Sequence, residues 1–350
     1  MQYTIFGESH GPAIGVTLTG VPAGLALDLE AMAFDLSRRA TGKNALSTAR
    51  KEADTPEILS GVFEGRTTGT PLTIVIRNQD QHSKDYAAIK DLARPGHADY
   101  AGHLRYGGYN DYRGGGHFSG RLTAPLVAAG AIAKQVLALH GAAVGAHIAA
   151  IAGIRDAAFP LEPGPELFAA VAAKEFPVLD DARGEEMQAA ILAARQDLDS
   201  VGGEIECAIT GLPGGLGAPD YGCNLEGILS AHLFAVPAVK AVAFGDGFAL
   251  AGMRGSQAND AFRMQDGRIR TVTNHAGGIN GGISNGMPVV FTVGIRPTPS
   301  IAQKQQTVDF VRRQDAQIEI SGRHDPCVVH RAVPVIEAAA ALAACQILGV

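Results

Sequence analysis

A chain of 350 residues has room for one large domain or two ordinary ones. With 46% hydrophobic and 18% charged residues, it carries too much apolar material for a disordered or linker-like chain. The 29 basic and 35 acidic residues leave a net charge of −6, which excludes a general polyanion-binding surface; any anion site has to be a local cluster of bases.

In chain order, hydrophobic patterning predicts a strand at Ala13–Thr19, a helix at Asp28–Arg38 with Asp28 as N-cap, and a strand at Leu72–Arg77. A helix at Thr123–Leu139, stopped by Gly141, precedes a strand at Gly145–Ile151 and helices at Glu166–Ala173 and Glu185–Gln196. A strand at Glu204–Thr210, a helix at Asn224–Phe234, strands at Val239–Phe244 and Val289–Ile295, and a helix at Val335–Leu348 complete the set. Strands and helices do not alternate strictly, so an α+β fold is expected rather than a doubly wound parallel sheet. The proline-rich Phe159–Glu166 reads as a surface turn, and residues 1–350 are expected to form one domain. The Ala-rich stretches at 124–133 and 338–344 read as too short and too weakly apolar to span a bilayer, and Met1–Phe6 lacks the features of a signal peptide. Cys207, Cys223, Cys327 and Cys345 form neither a zinc pattern nor a disulfide framework, so reduced, mostly buried thiols are expected.

Glycine is abundant, 44 residues without a collagen-like period, and it coincides with Arg, His and Ser in a few segments. Between Arg38 and Lys51 lie Arg38, Arg39, Lys43, Arg50 and Lys51 with no acid, a local anion site on an acidic chain. Gly7-Glu8-Ser9-His10-Gly11 matches the nucleophile elbow of α/β-hydrolases in form, but a strand-like run follows where a helix is needed. An adjacent His10 is also not expected to turn back onto Ser9 as its base. Two readings of this segment stand: a glycine turn with a hydrogen-bonded histidine, or a His10 that donates a proton to a leaving group.

Arg94-Pro95-Gly96-His97-Ala98-Asp99-Tyr100 reads first as a turn histidine, with Asp99 as a possible anchor for the imidazole. Arg113-Gly114-Gly115-Gly116-His117-Phe118-Ser119-Gly120-Arg121 runs into the helix at Thr123, as an anion site at a helix N-terminus or as a flexible loop before a capped helix. It is not a P-loop. Asn274–Gly282 offers close backbone approach for a flat ligand, and Arg323-His324-Asp325-Pro326 reads alone as a surface salt-bridging turn. His82, His103, His140, His147, His232 and His330 lack a partner pattern and read as structural or solvated. Together these segments imply a Gly-lined, Arg/His-rich pocket for a small, multiply anionic ligand.

Taken in order, Phe6–Gly11, Leu59–Gly65, Arg94–Tyr100, Val127–Ala133, Pro237–Lys240, Arg254–Gln257, Asn274–Ile279 and Arg323–Cys327 resemble the chorismate synthase family over nearly the whole chain. The resemblance implies a β-α-β sandwich with helices packed between antiparallel sheets, assembled as a cytoplasmic homotetramer. It implies a lyase that converts 5-enolpyruvylshikimate 3-phosphate to chorismate and phosphate by anti 1,4-elimination, the last step of the shikimate pathway. The C6 hydrogen of that substrate is not acidic, and the family uses reduced FMN to lend and recover an electron.

By motif match, the resemblance implies that His10, His97 and Asp325 are catalytic: His10 protonates the departing phosphate, His97 serves the reduced flavin, and Asp325 assists proton transfer. Ser9, Arg39, Arg94, Ser119, Arg121 and Arg323 would bind the substrate's two carboxylates and phosphate. His117, Phe118, Ser119, Pro237, Ala238, Gly281, Arg296, Pro297, Thr298, Pro299, Ser300 and Arg323 would line the flavin site. No G-x-G-x-x-G fingerprint occurs in a βαβ context, so NADPH is expected only as an external reductant, with a separate flavin reductase as a partner. No metal site is implied.

Two departures from the family pattern stand out. His117-Phe118-Ser119-Gly120-Arg121 replaces Arg-Ser-Ser-Ala-Arg, and Ala45 stands where an arginine is usual, with Lys43 nearby. Weaker substrate or flavin binding is the expected consequence. A divergent member that binds ligand without turnover is the alternative, against which His10, His97 and Asp325 are all retained.

Overall fold

The structure is a computed structural model that describes residues 1–42, 46, 54–79, 89–320 and 325–350. β1 (Gln2–Gly7) and β2 (Ala13–Thr19) form an antiparallel hairpin, and α1 (Leu29–Arg39) follows. The Asp28 carboxylate caps α1, accepting from the Ala31 N–H at 2.9 Å. β3 (Pro56–Ser60), the small hairpin β4 (Val62–Phe63) and β5 (Arg66–Thr67), and β6 (Leu72–Arg77) come next. The first sheet has the order β1-β2-β6-β3, antiparallel throughout.

α2 (Asp99–Tyr106) and two 3₁₀ segments, Arg113–Phe118 and Gly120–Leu122, lead into α3 (Thr123–Leu139). β7 (Ala143–Ile151), β8 (Ile154–Arg155), α4 (Pro165–Ala172), α5 (Asp181–Gln196), β9 (Gly203–Thr210), α6 (Leu225–Phe234) and β10 (Val239–Phe244) follow. Then come α7 (Gly255–Ala258), the hairpins β11 (Phe262–Gln265)–β12 (Arg268–Thr271) and β13 (Ile279–Asn280)–β14 (Ile283–Ser284), and β15 (Val289–Ile295). The hairpin β16 (Gln305–Asp309)–β17 (Gln314–Ile318) and α8 (Val329–Leu348) end the order. The second sheet runs β10-β15-β9-β7-β8, again antiparallel.

α3 lies against β2 and β6 on one side and α8 on the other, while α8 lies against β7 and β9. The result is sheet, helices, sheet: the expected α+β sandwich. Small residues let the two central helices touch, since a Cβ on Gly130 would collide with Ala338. α8 (Val329–Leu348) and the stretch Gly120–Leu139, which is α3 with the 3₁₀ turn before it, are each 20 residues long and apolar. By length and composition only, both are long and apolar enough to cross a bilayer, which the shorter Ala-rich stretches did not show; 72% of an 18-residue window in each is buried inside the protein.

Four strands, β2, β6, β10 and β15, and helix α3 match their expected ranges. Gly141 closes the turn after α3 at φ 73°. α8 begins six residues before Val335, because Pro334 sits inside the helix and does not start it. α5 begins at Asp181, ahead of Glu185, and continues through Gly184, where a Cβ would come within 2.8 Å of Val178. Cys207, Cys327 and Cys345 are buried and Cys223 is exposed, all as free thiols.

Two charged clusters lock the layers. Glu337 on α8 accepts from Arg38 on α1 (2.7 and 2.8 Å) and from Lys134 on α3 (2.6 Å). Burial pushes its carboxyl up, but Lys134 and Arg38 outweigh this and hold it at about 2. Arg38 therefore belongs to the core and not to the anion site suggested by the 38–51 run. Glu337→Gln should destabilise the fold by about 3–5 kcal/mol in denaturant melts, since two buried cations lose their shared anion.

His147, on β7, is buried between Asp156 (3.1 Å) and Glu206 (2.7 Å). Burial lowers its pKa, yet the two carboxylates outweigh burial and raise it above 6.5. Its contribution to stability is fully present below the unfolded value of 6.5 and is lost as pH rises through the raised folded value. The gap in melting temperature between wild type and His147→Gln should therefore narrow as pH rises from about 6 to 9.

Candidate active site

His10 sits in the loop that joins β1 to β2, so Ser9 lies in a hairpin and not in a strand–turn–helix elbow. His10 does turn back onto Ser9, contrary to expectation, with Nδ1 3.3 Å from Oγ. The Ser9 N–H donates to the Gly116 carbonyl, tying the loop to the triple-glycine turn. Asn78, just beyond β6, braces the loop from below. Its Nδ2 donates to the Glu8 and Gly11 carbonyls at 3.0 and 2.8 Å, and its Oδ1 accepts from Arg121 Nε at 3.1 Å.

Gly114, Gly115 and Gly116 all have positive φ. A Cβ on Gly114 would collide with the His10 ring, and one on Gly115 would lie 3.1 Å from the His97 ring. The turn therefore passes between the two imidazoles, which only glycine permits. His97 Nδ1 lies 2.8 Å from Asp99 Oδ1, so the anchoring role of Asp99 holds. Arg94 donates Nε and Nη2 to the same carboxylate, each at 2.7 Å. Burial pushes the Asp99 carboxyl up, but the hydrogen bonds from Arg94 and His97 hold it well below the usual carboxylate range.

Arg39 ends α1, and Arg121 lies two residues before α3. His10, Arg39, Arg94 and Arg121 are only 5–7% exposed. Asp54 links the two arginines, accepting from Arg39 Nη1 at 2.5 Å and from Arg121 Nη1. Arg39 Nε donates to Thr123 Oγ1 at 3.0 Å. Burial pushes the Arg39 guanidinium below its ordinary value; Asp54 opposes this, and the nearby Arg331 and Arg121 reinforce it. Arg331, in the first turn of α8, donates to Asp325 Oδ2 at 2.7 Å and to the Arg39 carbonyl at 3.1 Å.

The 296–300 segment joins from the second sheet. A Cβ on Gly96 would lie 2.8 Å from Arg296 Nη1 and 3.4 Å from Pro299, and the Arg296 N–H donates to the carbonyl of Ala238, which has φ 73°. The Thr298 carbonyl accepts from Ser200, and the Pro326 carbonyl accepts from Val201. Contacts and chain neighbours thus link His10 through Gly114, Gly115, His97, Gly96, Arg296, Thr298, Ser200, Val201, Pro326, Asp325, Arg331, Arg39, Asp54, Arg121 and Asn78, back to the His10 loop.

Not every expected residue enters this circuit. Arg323, His324, Lys43, Ala45, Arg50, Lys51 and His82 fall outside the described residues. His117 is exposed and its Nδ1 bonds the Gly7 carbonyl at 2.9 Å, while Phe118 packs on Gly102 of α2. Ser119 Oγ accepts from the Arg121 N–H at 3.3 Å and caps the turn before α3. Gly281 tips the β13–β14 hairpin, whose neighbour Gly282 bonds the start of α6. The Asn274–Gly278 glycines serve internal packing, with Gly277 against Gly245 and Gly278 against Pro288. Asp54, Asn78, Thr123 and Arg331 carry no motif of their own; only their partners across the fold mark them.

The buried guanidiniums of Arg39, Arg94 and Arg121 and the two held imidazoles make this the candidate site of the α+β sandwich. The chorismate synthase family model matches residues 1–348. The chain is 48% identical over 341 residues to the chorismate synthase of Methanocella arvoryzae, covering 97% of this chain and 90% of that protein. It is 46% identical over 347 residues to that of Aeropyrum pernix, covering 99% and 90%. A crystal structure of a chorismate synthase superposes with a TM-score of 0.78 at 28% identity, covering 99% of this chain and 91% of the other. The chain belongs to the chorismate synthase family.

Asn78→Ala should cut turnover about tenfold or more, since it releases the His10 loop from Arg121; steady-state kinetics beside a thermal melt checks this.

Proposed function

We propose that the protein is a shikimate-pathway lyase that converts 5-enolpyruvylshikimate 3-phosphate to chorismate and phosphate by anti 1,4-elimination with reduced FMN. The observation that carries this reading is the contact circuit that joins His10, His97, Asp325 and the buried arginines. Arg39, Arg94 and Arg121 hold the substrate's phosphate and carboxylates, with Ser9 and Ser119 as hydrogen-bonding partners and Arg323 as a further cation.

His10 delivers a proton to the departing phosphate oxygen as the C3–O bond breaks, from a buried turn fixed by Asn78. His97 Nδ1 faces Asp99 at 2.8 Å, and its Cε1–Nε2 edge lies on the Gly115 side, where it would serve the flavin. Asp325, steadied by Arg331, handles a proton at the far side of the circuit.

When bound, reduced FMN supplies a transferable electron, which an unactivated C6–H bond requires and the side chains here do not offer. The 296–300 loop suits such a group: Thr298 Oγ1 is buried with no hydrogen-bond partner among the described residues, and the missing side chain of Gly96 lets Arg296 approach its backbone closely. Pro237, Ala238, Arg296–Ser300 and Arg323 would hold it, with Gly281 and the 117–119 turn at its margins.

The family resemblance extends the reading to a cytoplasmic homotetramer whose flavin is kept reduced by NADPH externally or by a separate reductase. One apolar core spans both sheets, which supports residues 1–350 as one domain.

Anaerobic incubation with reduced FMN and substrate should release chorismate and phosphate together. His10→Ala should lower this by about 10²–10⁴-fold with the melt unchanged, and normal turnover in that variant would refute its role. His117→Arg should tighten FMN in a titration by adding the charge this chain lacks; unchanged affinity counts against a flavin contact at position 117.

A further inference from the structure

We infer that Asp54 is a positioning residue that sets the gap between the Arg39 and Arg121 guanidiniums, so that the substrate's anions meet them in the reactive alignment; this rests on the lyase reading above. A carboxylate is an odd neighbour for a trianionic substrate. It repels the ligand the site must bind, so its presence calls for a use that outweighs that cost.

The geometry supplies one. Asp54 is 5% exposed and gives one oxygen to Arg39 Nη1 and the other to Arg121 Nη1. Each arginine is gripped a second time at Nε, Arg39 by Thr123 at the start of α3 and Arg121 by Asn78 beneath the His10 loop. Both forks are therefore fixed in distance and in rotation. Arg331 adds a further positive charge beside Arg39. Without Asp54, these cations would repel one another in a medium that screens charge poorly.

The backbone carries the same signature. Asp54 has φ 47°, in the left-handed region that most residues avoid. Aspartate is one of the few non-glycine residues that adopt it readily, and here its side chain bridges two site cations from that conformation. The position comes just before β3, so the first sheet anchors the residue that spaces the arginines.

This role separates affinity from turnover. Removing the carboxylate charge strengthens the attraction for anions, because two guanidiniums lose their internal counter-charge. It also lets the forks drift, and misalignment by about 1 Å costs on the order of 100-fold in rate. A merely structural residue would lower both together.

The test uses Asp54→Asn and Asp54→Gly, since Asn and Gly both tolerate positive φ and spare the backbone. Inorganic phosphate binding is measured by calorimetry on the full chain, and kcat and KM under anaerobic conditions with reduced FMN. The expected result is phosphate bound about tenfold more tightly, kcat down about 100-fold, and KM unchanged or lower. Should the Asn variant unfold, the Gly variant carries the reading.

The inference is overturned if kcat stays within about twofold of wild type in the folded variants. It is equally overturned if phosphate binding weakens as KM rises. A wild type with no turnover would defeat the lyase reading itself. The phosphate arm would still decide Asp54: tighter binding supports it, and unchanged binding overturns it.

Discussion

Positive charge held inside a protein of net charge −6 is the constraint around which the site is organised. A buried guanidinium is costly unless its environment supplies hydrogen bonds and counter-charge. Asp54, Thr123 and Asn78 meet part of that demand for Arg39 and Arg121, and Asp99 meets it for Arg94. In the proposed reaction an incoming phosphate or carboxylate meets the rest. The site is thus prepared for an anion before one arrives, which lowers the reorganisation required at binding.

The sandwich explains why such distant residues converge. α3 and α8 touch along faces of alanine and glycine, and both begin near Arg39, through Thr123 and Arg331 respectively. Helix N-termini favour negative charge, so two of them beside the arginines reinforce the same preference. The Arg38–Glu337–Lys134 cluster pins α1 to both helices from the opposite side. Neighbouring arginines at the end of α1 therefore do different work: Arg38 fastens the core, and Arg39 faces the site.

Regular elements with continuous apolar runs were legible from their patterning, as β2, β15 and α3 illustrate. β1 was not, because as an edge strand it alternates Gln2 and Thr4 with half-buried residues. α2 was not, because it is eight residues long and lacks a side-chain cap. His10, His97 and Asp325 could be named only through the family resemblance, since each motif alone also fits an ordinary turn. Asp54 and Asn78 were invisible for a different reason. Their meaning lies in partners 15 to 70 residues away, which no local pattern encodes.

The central claim is that these groups surround one trianionic ligand, and a crystal structure with oxidised FMN and 5-enolpyruvylshikimate 3-phosphate tests it most directly. The expected density places the substrate phosphate within hydrogen-bond reach of His10, its remaining anions on Arg39, Arg94 or Arg121, and the flavin ring between His97 and the 296–300 loop. Substrate bound away from His10, or flavin seated with no contact to His97 or that loop, would contradict the account.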